Sequence, residues 1–131
     1  MSAISPFSSS RDFQVWEYQV SHGHLLIRSP KSPGTLDEPK QTTNVDLHFW
    51  GVDYFELPRM LRGIEIAAPT REELERIEGL LKVPFLKKQA VVLCSSDRRF
   101  VIVAIGYTVK ENQWDIFQSP IEFRSQFRRE L

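Results

Sequence analysis

Three histidines, His22, His24 and His48, offer the most obvious chemistry in this chain of 131 residues. His22 and His24 flank Gly23, and His48 stands two residues after Asp46. Side chains at i and i+2 on a strand project to one side. Two such histidines, joined by a third from a neighbouring strand, form a ligand set for zinc, another borderline metal or haem. The ordinary explanation carries more weight. A turn histidine is solvated, and a strand histidine beside Trp50 packs as a ring with one hydrogen bond. His22, His24 and His48 are therefore weak metal candidates, and no cofactor is assigned.

Cys94 is the only cysteine. Paired with a histidine it would be a nucleophile. Its neighbours Val91, Val92 and Leu93 are apolar, however, and burial raises a thiol pKa and makes it inert. Ser95 and Ser96 precede Asp97 without the Gly-x-Ser-x-Gly elbow of serine hydrolases. Asp46 with Asp53 or Glu56, and Glu17 with Glu65, can meet across strands as acid–base pairs. Solvated strand faces explain these carboxylates equally well. The P-loop, Gly-x-Gly-x-x-Gly and His-Glu-x-x-His motifs are missing. No catalytic residue is assigned, and the reading leans away from an enzyme.

Binding is the better-supported theme. Trp16, Tyr18, Trp50, Tyr54 and Trp114 fall on expected strands whose two faces are hard to bury together in a small sheet. Tyr, Trp and Arg anchor protein interfaces. Tyr18, Tyr54 and Trp114, with Arg124 and Arg128 near the C-terminus, form the expected interaction surface. The dipole of a C-terminal helix is the ordinary reason for such arginines. A small-ligand alternative places a pocket inside a curled sheet, lined by Trp16, Trp50 and Tyr107. There His48 or Arg28 would fix the ligand.

Elements must position these residues. Phe13–Val20 and His24–Ser29 read as a hairpin around Gly23. Residues 30–43 hold Pro30, Pro33, Pro39 and Gly34 and read as an exposed loop, long for a compact domain. Residues 44–55 read as a strand with a bulge at Gly51, because glycine inside a strand marks a bulge or a close backbone approach. Pro58–Gly63 suggests one helical turn, and residues 64–67 a short strand. Thr70-Arg71-Glu72-Glu73 is a capping box for a helix over 70–79. Its stripe is Leu74, Ile77 and Leu81, with Glu72 and Arg76 paired outside and Gly79 as its C-terminal cap. Strands follow at 90–94, at 100–109 (apolar enough for the centre of the sheet) and at 114–117. Ser119-Pro120-Ile121-Glu122 opens a helix over 120–131, with Phe123, Phe127 and Leu131 on one stripe.

The sum is an α+β domain, predominantly antiparallel β. Its form is a strongly curled sheet or partly open β-barrel of about seven strands with two helices. Residues 1–11 read as a disordered leader and 12–131 as a single globular domain. At roughly 100–200 residues per domain, the length allows only one.

Composition narrows the function further. Hydrophobic residues are 41% and charged residues 26%. Lys plus Arg and Asp plus Glu are 17 each. Zero formal charge gives little counterion-release drive, so nucleic acid is a poor fit. There is no apolar run of membrane-spanning length. The halves differ, with 6 basic and 8 acidic side chains in residues 1–65 against 11 and 9 in residues 66–131. The N-terminus lacks the pattern of a signal peptide, and one thiol suits a reducing compartment, so a cytoplasmic setting is expected. The expected function is a non-enzymatic protein-binding module, inhibitor- or immunity-like or an adaptor, with an unknown protein partner or a second copy. Size and class alone suggest that analogy.

Overall fold

The computed structural model describes residues 7–82 and 89–121. The expected helix over 120–131, and with it Arg124 and Arg128, lies almost wholly outside the described residues, as do residues 1–6 of the expected leader. In chain order the strands are β1 (Ser8–Gln19), β2 (His24–Ser29), β3 (Asn44–Trp50), β4 (Tyr54–Phe55), β5 (Met60–Ala67), β6 (Gln89–Ser95), β7 (Arg98–Ala104) and β8 (Gly106–Asn112). A 3-10 turn, Ser21–Gly23, joins β1 to β2, and helix α1 (Arg71–Leu81) stands between β5 and β6.

All eight strands belong to one antiparallel sheet in the order β4-β7-β6-β5-β1-β2-β3-β8. The sheet does not close. It must still curl, because β7 and β8 lie towards opposite ends of that order and only Ile105 separates them in the chain. The curl wraps a core of Phe13, Leu25, Ile27, Leu47, Phe49, Leu61 and Ile102, all essentially inaccessible.

The apolar run 100–109 divides at Ile105, whose N–H donates to the carbonyl of Trp50 (3.0 Å). Its first half is covered on both faces. Ile102 and Ala104 face the main core, while Val101 and Val103 join Val92 under Ile77 of α1. Burying Ile77 completely is worth about 1.5–3 kcal/mol. The run is not central, however: β7 is second from one end and β8 forms the other. Apolar content reports two-sided burial, and here a helix supplies the second cover.

Several boundaries differ from the sequence reading, each for a local reason. β1 starts at Ser8 rather than Phe13, because Ser8 and Ser9 pair with Glu65 and Ile64 of β5. Gly51 adopts φ +63° and breaks the expected strand 44–55 into β3 and β4. The expected helical turn at Pro58–Gly63 is the start of β5. Leu61 is buried between exposed Met60 and Arg62, a period of two. Gly63 (φ +64°) then exchanges the faces, so that Ile64 and Ile66 are the buried residues. The strand expected at 114–117 is a loop. Asn112 Oδ1 accepts from the N–H of Trp114, and Asp115 Oδ1 from that of Phe117. Such side-chain bonds compete with a ladder. Residues 110–112, expected as a turn, complete β8 instead. The loop at 30–43 carries a bridge from Ser32 to Gln41 and a turn at Thr35, with Leu36 fully exposed at its tip.

The capping box of α1 forms as its spacing requires, with Thr70 and Glu73 each accepting from the other's N–H. Its C-cap is Lys82 in the left-handed region, and Gly79 lies within the helix. Arg76 pairs not with Glu72 but with Glu56 (2.9 Å), and Arg99 grips Glu73 (2.9 and 3.0 Å). Two ion pairs therefore fasten the helix to β7 and to the segment after β4.

The other face of β2 and β3 holds a buried ion pair. Arg28 has no accessible surface and donates to both oxygens of Asp46 (2.6 and 2.9 Å). It also donates to the carbonyls of Ile116 (3.1 Å) and Gln118 (2.9 Å) and lies over the Trp16 ring. Asn112 donates to Asp46, and Asn44 to Asn112 and to the Trp114 carbonyl. A single network thus straps residues 113–118 to the sheet.

Two outcomes follow for stability. Arg28→Ala strands a buried carboxylate and lowers unfolding free energy by about 3–5 kcal/mol in urea titration, whereas Arg28→Met with Asp46→Leu costs less. Arg99, as the largest influence, pulls the Glu73 carboxyl from its ordinary 4.5 to about 2. The stability this contributes is present above pH 4.5 and is lost as pH falls through about 2. Glu73→Gln therefore flattens the acid limb of the stability curve in that window, measured by urea unfolding at stepped pH.

Candidate functional site

Alternation along β2, β3 and β8 sorts the candidate residues onto two faces. Leu25, Ile27, Leu47 and Phe49 point into the core, and Tyr107 stacks on Phe49 (ring centroids 5.3 Å apart). His24, His48 and Trp50 occupy the opposite face, with Arg28 and Asp46 further along it. The proposed ligand set is therefore split. Trp16, Arg28, His48 and Trp50 share one face, and Tyr107 lies on the other. The space expected as a pocket is filled by fully buried Leu25, Leu47 and Phe49. Arg28, expected to fix a ligand, is engaged with Asp46 and with two carbonyls.

The histidines do converge in part. His24 Nδ1 and His48 Nε2 lie 2.9 Å apart, at hydrogen-bond distance. The His22 ring lies edge-on to His24, with centroids 6.3 Å apart, and Trp50 stands edge-on to His48 at 6.0 Å. Burial holds the pKa of both His24 and His48 below the ordinary histidine value. His22 lowers His24 further and His24 lowers His48, whereas Glu17 raises both and Asp46 raises His48. Among the described residues, no group of three or more His, Cys, Asp and Glu side chains is arranged to hold a metal ion.

His24 and Trp50 also line an open cleft of about 650 Å³. Tyr18, Val20, His22, Asp53 and Ile105 line it too, with Gly23, Gly51 and Val52 between them. Tyr18 is 44% exposed, Val20 82% and Ile105 50%. The cleft sits where two corners of the chain are clipped together. The N–H groups of Gly51 and Val52 donate to the carbonyls of His22 and Gly23 (3.0 Å each). This contact excludes side chains. A Cβ on Gly23, at φ +58°, would lie 2.8 Å from the Val52 nitrogen, and one on Gly51 would lie 2.5 Å from Ile105 Cδ1. His22 itself holds φ +63°, a conformation uncommon for a non-glycine residue.

Other candidates scatter. Tyr18 belongs to the cleft and packs on Phe55. Tyr54 is half-buried against the α1 cluster, and its hydroxyl donates to Glu56. Trp114 lies beside Asn44, at the opposite end of β3. The expected surface of Tyr18, Tyr54 and Trp114 is thus not one patch. Of the expected carboxylate pairs, Asp46 is bound to Arg28 and Glu56 to Arg76. Cys94 is half-buried, and Arg99 Nη1 lies 3.7 Å from its sulfur, so its surroundings are less apolar than its sequence neighbours suggest. A shallow cavity of about 480 Å³ adjoins it, lined by Arg62, Ser96, Arg98 and Arg99.

Sequence reasoning overlooked Val20 and Ile105. Val20 closes an expected strand, and Ile105 sits inside an apolar run that reads as core. The available signal was Gly106, which must lack a side chain because a Cβ there would lie 2.6 Å from the Trp50 ring.

No family model matches the chain, and no curated protein or solved structure matches it at a significant level. Among the described residues, no helix is long and apolar enough to cross a membrane.

The clipped corners predict a strict glycine requirement. Gly23→Ala combines a positive φ with a backbone clash, so it destabilises the protein by more than about 1 kcal/mol in thermal or urea unfolding.

Proposed function

We propose that this chain is a non-catalytic protein-binding module that receives a partner's apolar side chain in the cleft between the β1–β2 turn and Ile105. One observation carries the reading: Tyr18, Val20 and Ile105 stay exposed around a cleft whose backbone is locked by Gly23 and Gly51. Exposed apolar groups gathered in one place mark contact surfaces, whereas scattered ones do not. Backbone held in unfavourable conformations collects at functional sites, where surrounding structure must impose it. A rigid receptor also loses little conformational entropy on binding.

Histidine and tryptophan on one wall give the partner a polar and aromatic edge to meet, which suits a protein segment better than a wholly apolar ligand. The lone thiol of Cys94 suits a cytoplasmic setting for this module. The filled interior of the curl favours surface docking over a ligand held inside the sheet.

The test is capture from extract of the native cell by the tagged protein, beside Val20→Asp and Ile105→Asp. Val20 is 82% exposed, so Val20→Asp keeps its unfolding midpoint while losing a stoichiometric partner. Ile105→Asp, half-exposed and seated over Gly51, loses the partner too and is compared at a temperature where its own unfolding curve shows it folded. Light scattering on the purified protein shows whether that partner is a second copy. Absence of any stoichiometric partner or self-association, or full retention by both variants, overturns the reading.

A further inference from the structure

His24 and His48 present one ring nitrogen each to the other, Nδ1 to Nε2 at 2.9 Å, with ring centroids 5.1 Å apart. Two neutral imidazoles carry one N–H each, so at this contact one nitrogen donates and the other accepts. An added proton yields an imidazolium donating to an imidazole, and that bond is charge-assisted. A second proton puts an N–H on both facing nitrogens. The acceptor is gone, and two cations stand at contact distance.

We propose that the His24–His48 hydrogen bond is a proton-operated latch on the cleft wall, kept by the pair with up to one extra proton and released by the second. Its position gives it leverage. His24 lines the cleft, and the His48 ring stands against Trp50, which lines the same cleft. When the rings part, the Trp50 side of the cleft moves.

The charged groups around the pair bias both steps. Glu17 on β1 and Asp46 on β3 favour protonation, although Arg28 already compensates Asp46. His22 on the turn and Lys110 on β8 oppose further positive charge. Burial resists charge on both rings and sets the release on the acid side of ordinary histidine titration. The latch is a property of the free chain and stands or falls apart from the docking reading.

The test is a nitrogen-15 NMR titration of the intact, partner-free protein, following both imidazoles and the Trp50 indole from about pH 8 to about pH 4. A latch gives two macroscopic steps, separated by about one pH unit or more, in which His24 and His48 signals move together. The Trp50 resonance moves with the second step only. His24→Gln leaves His48 with a single step above the pair's second, and His48→Gln does the same for His24. Independent single-step titrations of the two rings in the unsubstituted protein overturn the proposal. So does a Trp50 signal that ignores the second step.

Discussion

A guanidinium with no accessible surface is the strictest demand in this molecule. Arg28 cannot shed its charge as a buried lysine or histidine can, so its donors must be satisfied where they stand. Asp46 opposite it on β3 takes two of them, and the carbonyls of Ile116 and Gln118 take others. The consequence spreads outward. The β2–β3 register must place Arg28 across from Asp46, and Asn112 must end β8 within reach of the same carboxylate. The 113–118 segment must pass overhead. A slip of one residue would turn Arg28 into the apolar core and Ile27 out of it, so the pair and the hydrophobic pattern enforce one register together. A buried pair of this kind contributes more to uniqueness than to net stability, since desolvation offsets much of its attraction.

The curl of the sheet is the second constraint, and it produces the cleft. Because β7 becomes β8 through Ile105 alone, the chain turns there with no loop to spare. Ile105 is pushed outward while its N–H binds the Trp50 carbonyl. The β1–β2 turn then fits against Gly51 and Val52 through backbone contacts that only glycine permits at Gly23. Exposed Tyr18, Val20 and Ile105 therefore belong together for a geometric reason. Chain segments far apart in sequence meet at the corner where the sheet bends back on itself.

Legibility in the sequence followed the range of the forces involved. The capping box of α1, the bounds of β2 and the antiparallel character depend on neighbouring residues, and local pattern revealed them. The split at Gly51 was half legible: glycine announced an irregularity, but only the contact with Ile105 shows why it breaks the strand. The turn at Pro58–Gly63 misled because proline and glycine bracket a helical turn equally well. Pairing with β1 decided for a strand. The strand expected at 114–117 failed because Asn112 and Asp115 capture backbone N–H groups, a competition that β-propensity ignores. Of the candidate site, residue types were legible and their company was not. His24 and His48 meet across adjacent strands, whereas Tyr107, placed with Trp50 by reading, alternates to the other face. Val20 and Ile105 carried no chemical signal, since an exposed aliphatic side chain and a buried one are the same letter.

The two constraints meet along one face of β3. Asn44, Asp46, His48 and Trp50 follow one another at strand spacing; the first two are buried and the last two half-buried. At the inner end, residues 113–118 cover the face and hold the Arg28–Asp46 pair beneath them. At the outer end the covering segment has passed, the face opens at Trp50 and the cleft begins. His48 stands between. It is dry enough for burial to disfavour its cation, and it lies near Asp46 on one side and His24 on the other. The strap over Arg28 therefore sets where along β3 a proton can act, and the network that fixes the fold also defines the environment of the histidine pair.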